Sequence, residues 1–120
     1  MLEKKIPNIN SIDGGEGTVI RQIFHPHNTL NGIRYSISHS ELKPKNKSKL
    51  HQLKSSEIYY ILQGEGKLLV DDESIHVSKD QVIYIPPHSK QMIENTGNSD
   101  LEFLCIVDPA WKQEDEIVLE

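Results

Sequence analysis

The sequence predicts an all-β protein of about eight or nine short strands. Apolar and polar side chains alternate in short runs, as at Ile33, Tyr35 and Ile37, which indicates strands with one apolar face. Residues that favour turns separate these runs about every 8–12 positions, a spacing typical of a β-sandwich or barrel. No segment keeps the helical period long enough to support a βαβ unit, so a parallel α/β fold is not expected.

Each strand is predicted between two breaks in the pattern. The first 17 residues are polar, and the loop Asp13 to Gly17 ends them. Strands follow at 18–25, 33–39, 58–62, 67–70, 74–78, 82–85, 91–96 and 101–107. The strand at 58–62 is the best supported, because β-branched and aromatic residues dominate it. We therefore divide the chain into an N-terminal arm (1–17), a barrel (18–109) and a C-terminal tail (110–120).

Composition excludes several classes of protein. The 120 residues suffice for one domain with a substantial core, and the net charge of −5 argues against nucleic acid as the main partner. The single cysteine, Cys105, excludes an internal disulfide and lies in an apolar run, so we expect a small buried side chain rather than a nucleophile. The N-terminal residues lack the apolar core of a signal peptide, and no segment reaches the apolar length of a membrane span. These features predict a cytoplasmic protein without a membrane partner.

Two gapped motifs carry the candidate chemistry. In the first, His51 precedes Glu57 by six residues, and an apolar strand then runs to Gly64. This spacing matches the first cupin motif, in which a glycine, His-x-His, a glutamate and a second glycine follow one another at fixed intervals. A second motif has Pro86 and Asn95 at the spacing of the family. On these residues the chain resembles the cupins, in particular the small single-domain cupins.

The sequence departs from the family at positions that matter for function. Leu53 and Gln91 stand where the two motifs have histidines, and Asp80 and His88 stand where the second motif has glycines. The resemblance implies the cupin double-stranded β-helix, a jelly-roll barrel. In family members with the full motif, three imidazoles and a carboxylate hold a divalent metal inside that barrel.

With these departures, the resemblance implies a metal site formed by His51, Glu57 and Gln91. Imidazole, carboxylate and amide oxygen form a mixed set of ligands that suits Mn, Fe, Ni or Zn and does not choose among them. Leu53 cannot ligate. The alternative is a buried hydrogen-bonded cluster without a metal, in which Glu57 accepts a hydrogen bond from His51.

The substrate pocket is expected beside this site. Tyr59 shares the strand parity of Glu57 and should line the interior of the barrel. We expect Leu53, His39 and Tyr35 to line the pocket as well, where His39 could supply a further metal ligand. The alternative for the tyrosines is an ordinary aromatic core whose hydroxyl groups find partners at the rim.

Two functions from different classes fit this sequence. The first is a small metal-dependent enzyme in which the metal acts as a Lewis acid and Glu57 or a bound water moves a proton. Its substrates would be small sugars, their phosphates, or keto and hydroxy acids, and the residues do not distinguish isomerase from oxygenase chemistry. The second is a non-catalytic cupin that binds a small molecule and has a degenerate metal site.

Further residues bear on ligands and partners. Arg21 and Arg34 are the only arginines, and each is either a clamp for an anionic substrate or part of a solvated strand face. The resemblance also implies a homodimer formed through edge strands. The N-terminal strand and the tail around Trp111 are the candidate contacts, although Trp111 could equally cover one end of its own barrel.

Overall fold

A computed structural model describes residues 1–14, 17–29 and 32–120, and within those ranges the chain forms eleven β-strands and two short 3₁₀ turns. The all-β prediction is confirmed. Gly15 and Glu16 of the predicted arm and loop lie outside the described residues, as do positions 30 and 31 of the predicted barrel. The strands are β1 Ile12–Asp13, β2 Val19–Phe24, β3 Ser36–Leu42, β4 His51–Leu53, β5 Ser56–Gln63, β6 Glu65–Val70, β7 Glu73–Ser78, β8 Val82–Ile85, β9 Lys90–Asn95, β10 Leu101–Asp108 and β11 Glu116–Val118.

The strands form two antiparallel sheets that face each other. One sheet has six strands in the order β1-β2-β3-β10-β5-β8, and the other has five in the order β11-β4-β9-β6-β7. Strands distant in sequence become neighbours, since β10 lies between β3 and β5. Successive side chains of each strand point to opposite faces, so every second residue is directed between the sheets.

The space between the sheets divides into a closed core and an open cavity. On β5 the inward residues run from Glu57 and Tyr59 at the cavity to Ile61 in the core. On β10 they run from Val107 at the cavity to Leu101 in the core. The packed half therefore holds the fold together, while the other half encloses the cavity. The core consists of Leu42, Tyr59, Ile61, Leu68, Val77, Ile85, Ile93, Leu101, Phe103 and Cys105.

The predicted orientation of β3 is wrong. The alternation placed Ile37 and His39 inside the barrel, but the cavity is lined by the serines at 36, 38 and 40. Ile37 and His39 therefore lie on the outer face of the sheet. This outer face is itself partly covered, because Arg21 on β2 is the Cα partner of His39 and also donates to the carbonyl of Ile9 in the N-terminal arm. With both faces of the strand partly buried, apolar parity does not identify the inner one.

Three strands had no signal in the sequence. β1 pairs with β2, and β11 pairs with β4, so the arm and the tail both add strands to the sheets. β4 itself spans only three residues, His51–Leu53. Such short strands carry too few residues to show a period, and they form here because the neighbouring strands supply hydrogen-bonding partners.

Backbone conformation explains which motif glycines can be replaced. Gly64 has a φ of +88°, and a Cβ atom there would lie 2.6 Å from the carbonyl oxygen of Asp100. Asp80 and His88, which replace glycines of the second motif, keep left-handed φ values of 70° and 66°. The left-handed turn is thus preserved with a side chain where space allows, at a cost of about 1–2 kcal/mol per residue.

Within the described residues, no helix is long and apolar enough to cross a membrane.

Candidate functional site

The open half of the sandwich contains a cavity of about 370 Å³. Its floor includes Tyr59 and Phe103, whose rings stack with centroids 5.0 Å apart. The volume falls in the range of small-molecule pockets, which is about 300–1,000 Å³. The cavity is lined by Ile12, Asp13, Gly14, Thr18, Ile20, Gln22, Ser36, Ser38, Ser40, His51, Leu53, Glu57, Tyr59, Phe103, Cys105, Val107, Trp111, Gln113 and Glu116.

His51 enters the cavity from the first residue of β4. Its side chain is almost fully buried, and its Nδ1 atom lies 2.7 Å from the carbonyl oxygen of Lys49. A carbonyl can only accept a hydrogen bond, so in the neutral imidazole Nδ1 carries the proton and Nε2 carries the lone pair. Metal-binding histidines are oriented in this way, with one ring nitrogen donating to a backbone carbonyl and the other free to ligate.

Two residues hold Glu57 in place, Gln91 from the opposite sheet and Tyr59 from the same strand. The amide nitrogen of Gln91 donates to a carboxylate oxygen of Glu57 at 2.9 Å, and the hydroxyl of Tyr59 donates to the amide oxygen of Gln91 at 2.6 Å. An ionised carboxylate only accepts hydrogen bonds, so the NH₂ group of Gln91 must face Glu57 and its oxygen must face Tyr59. This series of hydrogen bonds from Tyr59 through Gln91 therefore fixes the orientation of the Glu57 carboxylate.

The two motifs meet through β4 and β9. His51 and Gln91 are Cα partners in this strand pair, which brings the first motif against the second. Gln91 is 1% exposed and lies behind the cavity wall, and its oxygen is already engaged by Tyr59. Glu57 accepts from Gln91, and no ion pair joins Glu57 to His51 in the described part of the chain. The hydrogen-bonded cluster expected as an alternative thus exists only in part.

The four residues predicted for the pocket fall into two groups. Tyr59 and Leu53 line the cavity, and Leu53 is 3% exposed on the same face of β4 as His51. His39 and Tyr35 lie elsewhere. His39 is on the outer face of β3, and Tyr35 precedes that strand with 46% of its surface exposed. Their assignment to the pocket rested on the reversed parity of β3.

A second group of potential metal ligands lies on the outer face of the six-stranded sheet. His39, Glu41 and Glu102 offer ligand atoms within 4.8 Å of one another. The Nε2 atom of His39 lies 2.9 Å from Glu102, and its buried Nδ1 atom has no hydrogen-bond partner in the described part of the chain. Arg21 binds Glu41 at 2.6 Å and supplies a positive charge to the group. A metal at this position would compete with that guanidinium.

The arginines do not reach the cavity. Arg21 is engaged by Glu41 and by the arm, and Arg34 forms a two-pronged ion pair with Asp108 on the surface. The hydrogen bond from Arg34, followed by its charge, lowers the pKa of Asp108 below its ordinary value. Neither arginine is therefore placed to clamp an anionic ligand in the cavity.

Sequence reasoning named Trp111 with two alternative places, at a dimer contact or over one end of its own barrel, and it missed the acidic residues along one wall. Trp111 lines the cavity and is anchored by its backbone, since its N–H donates to Ser36 and its carbonyl lies 2.8 Å from Nε2 of His25. The tail around Trp111 thus covers one end of its own barrel. Asp13 and Glu116 also line the cavity, from β1 and β11. The two strands that carry them had no periodic signal.

The arrangement can supply two different ligand types to a cation. His51 offers an oriented imidazole nitrogen, and Glu57 offers a carboxylate whose position is fixed by hydrogen bonding. Together they form a nitrogen and oxygen donor set suited to a divalent transition metal. Leu53 lies two residues after His51 on β4 and has no ligand atom, so the protein offers a metal one ligand fewer at this position.

The family model for the cupin domain matches residues 38–107, more than half of the 120 residues. The chain is similar to an uncharacterized protein of Methanocaldococcus jannaschii, with 40% identity over 106 residues that cover 88% of this chain and 84% of that protein. It is also similar to an oxalate-binding protein of Thermotoga maritima, with 30% identity over 100 residues, covering 82% and 83% of the two chains.

Solved structures share the fold. A crystal structure of a predicted oxalate decarboxylase from Thermotoga maritima has a TM-score of 0.74 and 25% identity, covering 90% of this chain and 99% of that chain. An oxalate decarboxylase structure from Bacillus subtilis has a TM-score of 0.82 over 95% of this chain and 31% of that chain, at 18% identity. Two facing antiparallel sheets, the two motifs and these similarities lead to one conclusion: this chain belongs to the cupin family.

Proposed function

We propose that the protein binds a divalent transition metal inside the barrel and presents it to a small-molecule ligand in the cavity. The metal would be Mn, Fe, Ni or Zn, held by His51 and Glu57. The observation that carries this proposal is the fixed tautomer of His51, whose Nδ1 atom is bound to the carbonyl of Lys49 at 2.7 Å. This leaves the Nε2 lone pair on a side chain that lines the cavity with Glu57.

The donor set fits such a metal. Imidazole nitrogen and carboxylate oxygen are ligands for first-row divalent metals. Gln91 donates to Glu57 and accepts from Tyr59, and hydrogen bonds of this kind orient the ligands in metal sites. When bound, the metal would supply Lewis acidity to an oxygen of the ligand. Glu57, the lining carboxylate that we assign to the metal, would accept or return a proton in an enzymatic reaction.

Gln91 has two alternative roles. In the described geometry its amide nitrogen orients Glu57, and its oxygen, if it ligated a metal, would share its electron density between the metal and the hydroxyl of Tyr59. The substitution Tyr59→Phe separates the roles. If Gln91 orients Glu57, removal of the hydroxyl loosens this series of hydrogen bonds and weakens metal binding; if Gln91 ligates, the same change frees its oxygen and strengthens binding.

The proposal is tested by titrating the metal-free protein with Mn(II), Fe(II), Ni(II) and Zn(II) in a calorimeter. We expect binding of at least one of these metals by the wild type and a loss of about tenfold or more in affinity in His51→Asn. The matched control is His39→Asn, which removes the imidazole of the outer-face group. Binding that survives His51→Asn but is lost in His39→Asn, or no binding at all, would refute the interior site.

The second candidate function is a non-catalytic binding protein. The buried Leu53 favours it, because an apolar side chain replaces a ligand of the family's full metal set. The similarity to a protein named for oxalate binding supports a small-molecule ligand in either case. Turnover distinguishes the two functions: a metal-loaded protein that binds a small molecule and leaves it unchanged is a binding module.

We also propose that the protein forms a homodimer through the edge of the six-stranded sheet that ends in β8. Val82 and Tyr84 on this edge strand are 60% and 61% exposed. An exposed apolar edge strand invites pairing with a second strand, and a second copy of this chain offers the same edge. Light scattering after gel filtration should give a dimer for the wild type and a monomer for Val82→Lys.

A further inference from the structure

The charge of the cavity restricts the ligand that it can hold. Three carboxylates line it, those of Asp13, Glu57 and Glu116. Among the described lining residues there is no lysine or arginine, although the chain has 13 of these residues. The described lining is therefore acidic in composition, and its three carboxylates outnumber the charges of one divalent metal. A small dianion would meet this charge in a site partly shielded from water, where screening is weak.

One wall of the cavity is polar without being charged. Ser38 and Ser40 lie on β3, and Gln22 on β2 is the Cα partner of Ser38. The side chains of these three residues line the cavity, and none of them is charged. Hydroxyl and amide groups both donate and accept hydrogen bonds, so this wall is suited to the hydroxyl groups of a ligand.

From these two features we propose that the ligand of the cavity is a neutral polyhydroxylated molecule of sugar size rather than a dicarboxylate or a phosphate ester. Its hydroxyl groups would exchange hydrogen bonds with Ser38, Ser40 and Gln22. A neutral ligand avoids the carboxylates of Asp13 and Glu116, which remain after Glu57 is assigned to the metal. The inference takes from the proposed function only the assignment of Glu57 to a metal. It adds to that function the chemical class of the ligand.

The test compares a neutral ligand with a dianion on the same protein. Binding of a neutral hexose and of oxalate is measured by calorimetry, with the metal-free and the metal-loaded full chain. We expect the hexose to bind more tightly than oxalate in both states, with the larger difference in the metal-free protein. Tighter binding of oxalate than of any neutral polyol, preferential binding of an organic amine, or no hexose binding in either state would overturn the inference.

Two sets of variants identify the cause. In the double variant Asp13→Asn/Glu116→Gln, oxalate affinity should rise by about tenfold while hexose affinity changes little, as expected from removing two nearby like charges. In Ser40→Ala the hexose affinity should fall several-fold, whereas the matched control Ser74→Ala, on exposed β7, should not change it. An unchanged ratio of the two affinities in the double variant would refute the electrostatic argument.

Failure of this inference differs from failure of the metal proposal. A protein that binds a transition metal but prefers oxalate keeps the proposed function and loses the ligand class. A protein that binds no metal but prefers the hexose loses the metal and keeps the ligand class.

Discussion

Replacing Leu53 by histidine tests the metal site by restoring the missing imidazole. Leu53 and His51 are two positions apart on β4, so their side chains share a face and their Cα atoms lie about 6.7 Å apart. Leu53 lines the cavity and is 3% exposed, so the new ring would be placed beside the site without opening the closed core. Leu53→His should therefore add a nitrogen ligand to the set formed by His51 and Glu57.

We expect Leu53→His to lower the stability of the metal-free protein and to raise the affinity for metal. Without metal, the lost burial of an isobutyl group and the buried polar ring should cost about 1–3 kcal/mol of unfolding free energy. Metal affinity should rise by about 100-fold or more, because even a residue that only orients a ligand contributes about 10–100-fold. A metal at about 100 times its Kd stabilises the folded state by about 2.7 kcal/mol, which offsets the loss.

The assay is thermal unfolding in chelator and in excess Zn(II) or Mn(II), together with calorimetric titration. Leu53→His should unfold at a lower temperature than wild type in chelator and gain more from metal than wild type does. Leu53→Phe is the matched control, since it introduces a ring without a nitrogen. Equal metal affinity in the histidine and phenylalanine variants would refute the convergence of these positions on a metal.

Three further predictions concern the frame around the site. Asn95→Ala should lower the unfolding free energy by about 3 kcal/mol in chemical denaturation, because the buried Asn95 side chain bonds three backbone groups and leaves them unpaired when removed; a loss below about 1 kcal/mol would contradict this role. His88→Gly should raise the free energy by about 0.5–1 kcal/mol, since the left-handed strain exceeds the entropy that glycine costs, whereas His88→Ala should give no gain. Arg34 lowers the pKa of Asp108, so this pair stabilises the fold above the ordinary pKa of Asp108 and the contribution is lost as the pH falls through the lowered value. The difference in melting temperature between wild type and Arg34→Gln should accordingly close in acid, and a difference that widens there would contradict the assigned sign.

The parts of the fold that follow from sequence are those with strong local patterns. The strand predicted at 58–62 is the centre of β5, and Tyr59 shares its parity with Glu57, so both side chains line the cavity. Motif spacing also anticipates that the segments of Glu57 and Gln91 meet, and their side chains are 2.9 Å apart. In both cases the signal is local periodicity or fixed spacing.

The parts that do not follow depend on tertiary contacts. The inner face of β3 carries serines because it borders a polar cavity, while its outer face is covered by neighbours, so hydrophobicity misassigned His39. β1 and β11 are two and three residues long and exist through pairing with β2 and β4. The residues they bring to the cavity, Asp13 and Glu116, therefore had no signal in the sequence.

Diffraction from crystals grown with Mn(II) or Zn(II), with anomalous data at the metal edge, tests the interior site most directly. We predict an anomalous peak inside the sandwich in contact with Nε2 of His51 and the carboxylate of Glu57. A peak at His39 and Glu102 on the outer face, with none between the sheets, would contradict the assignment.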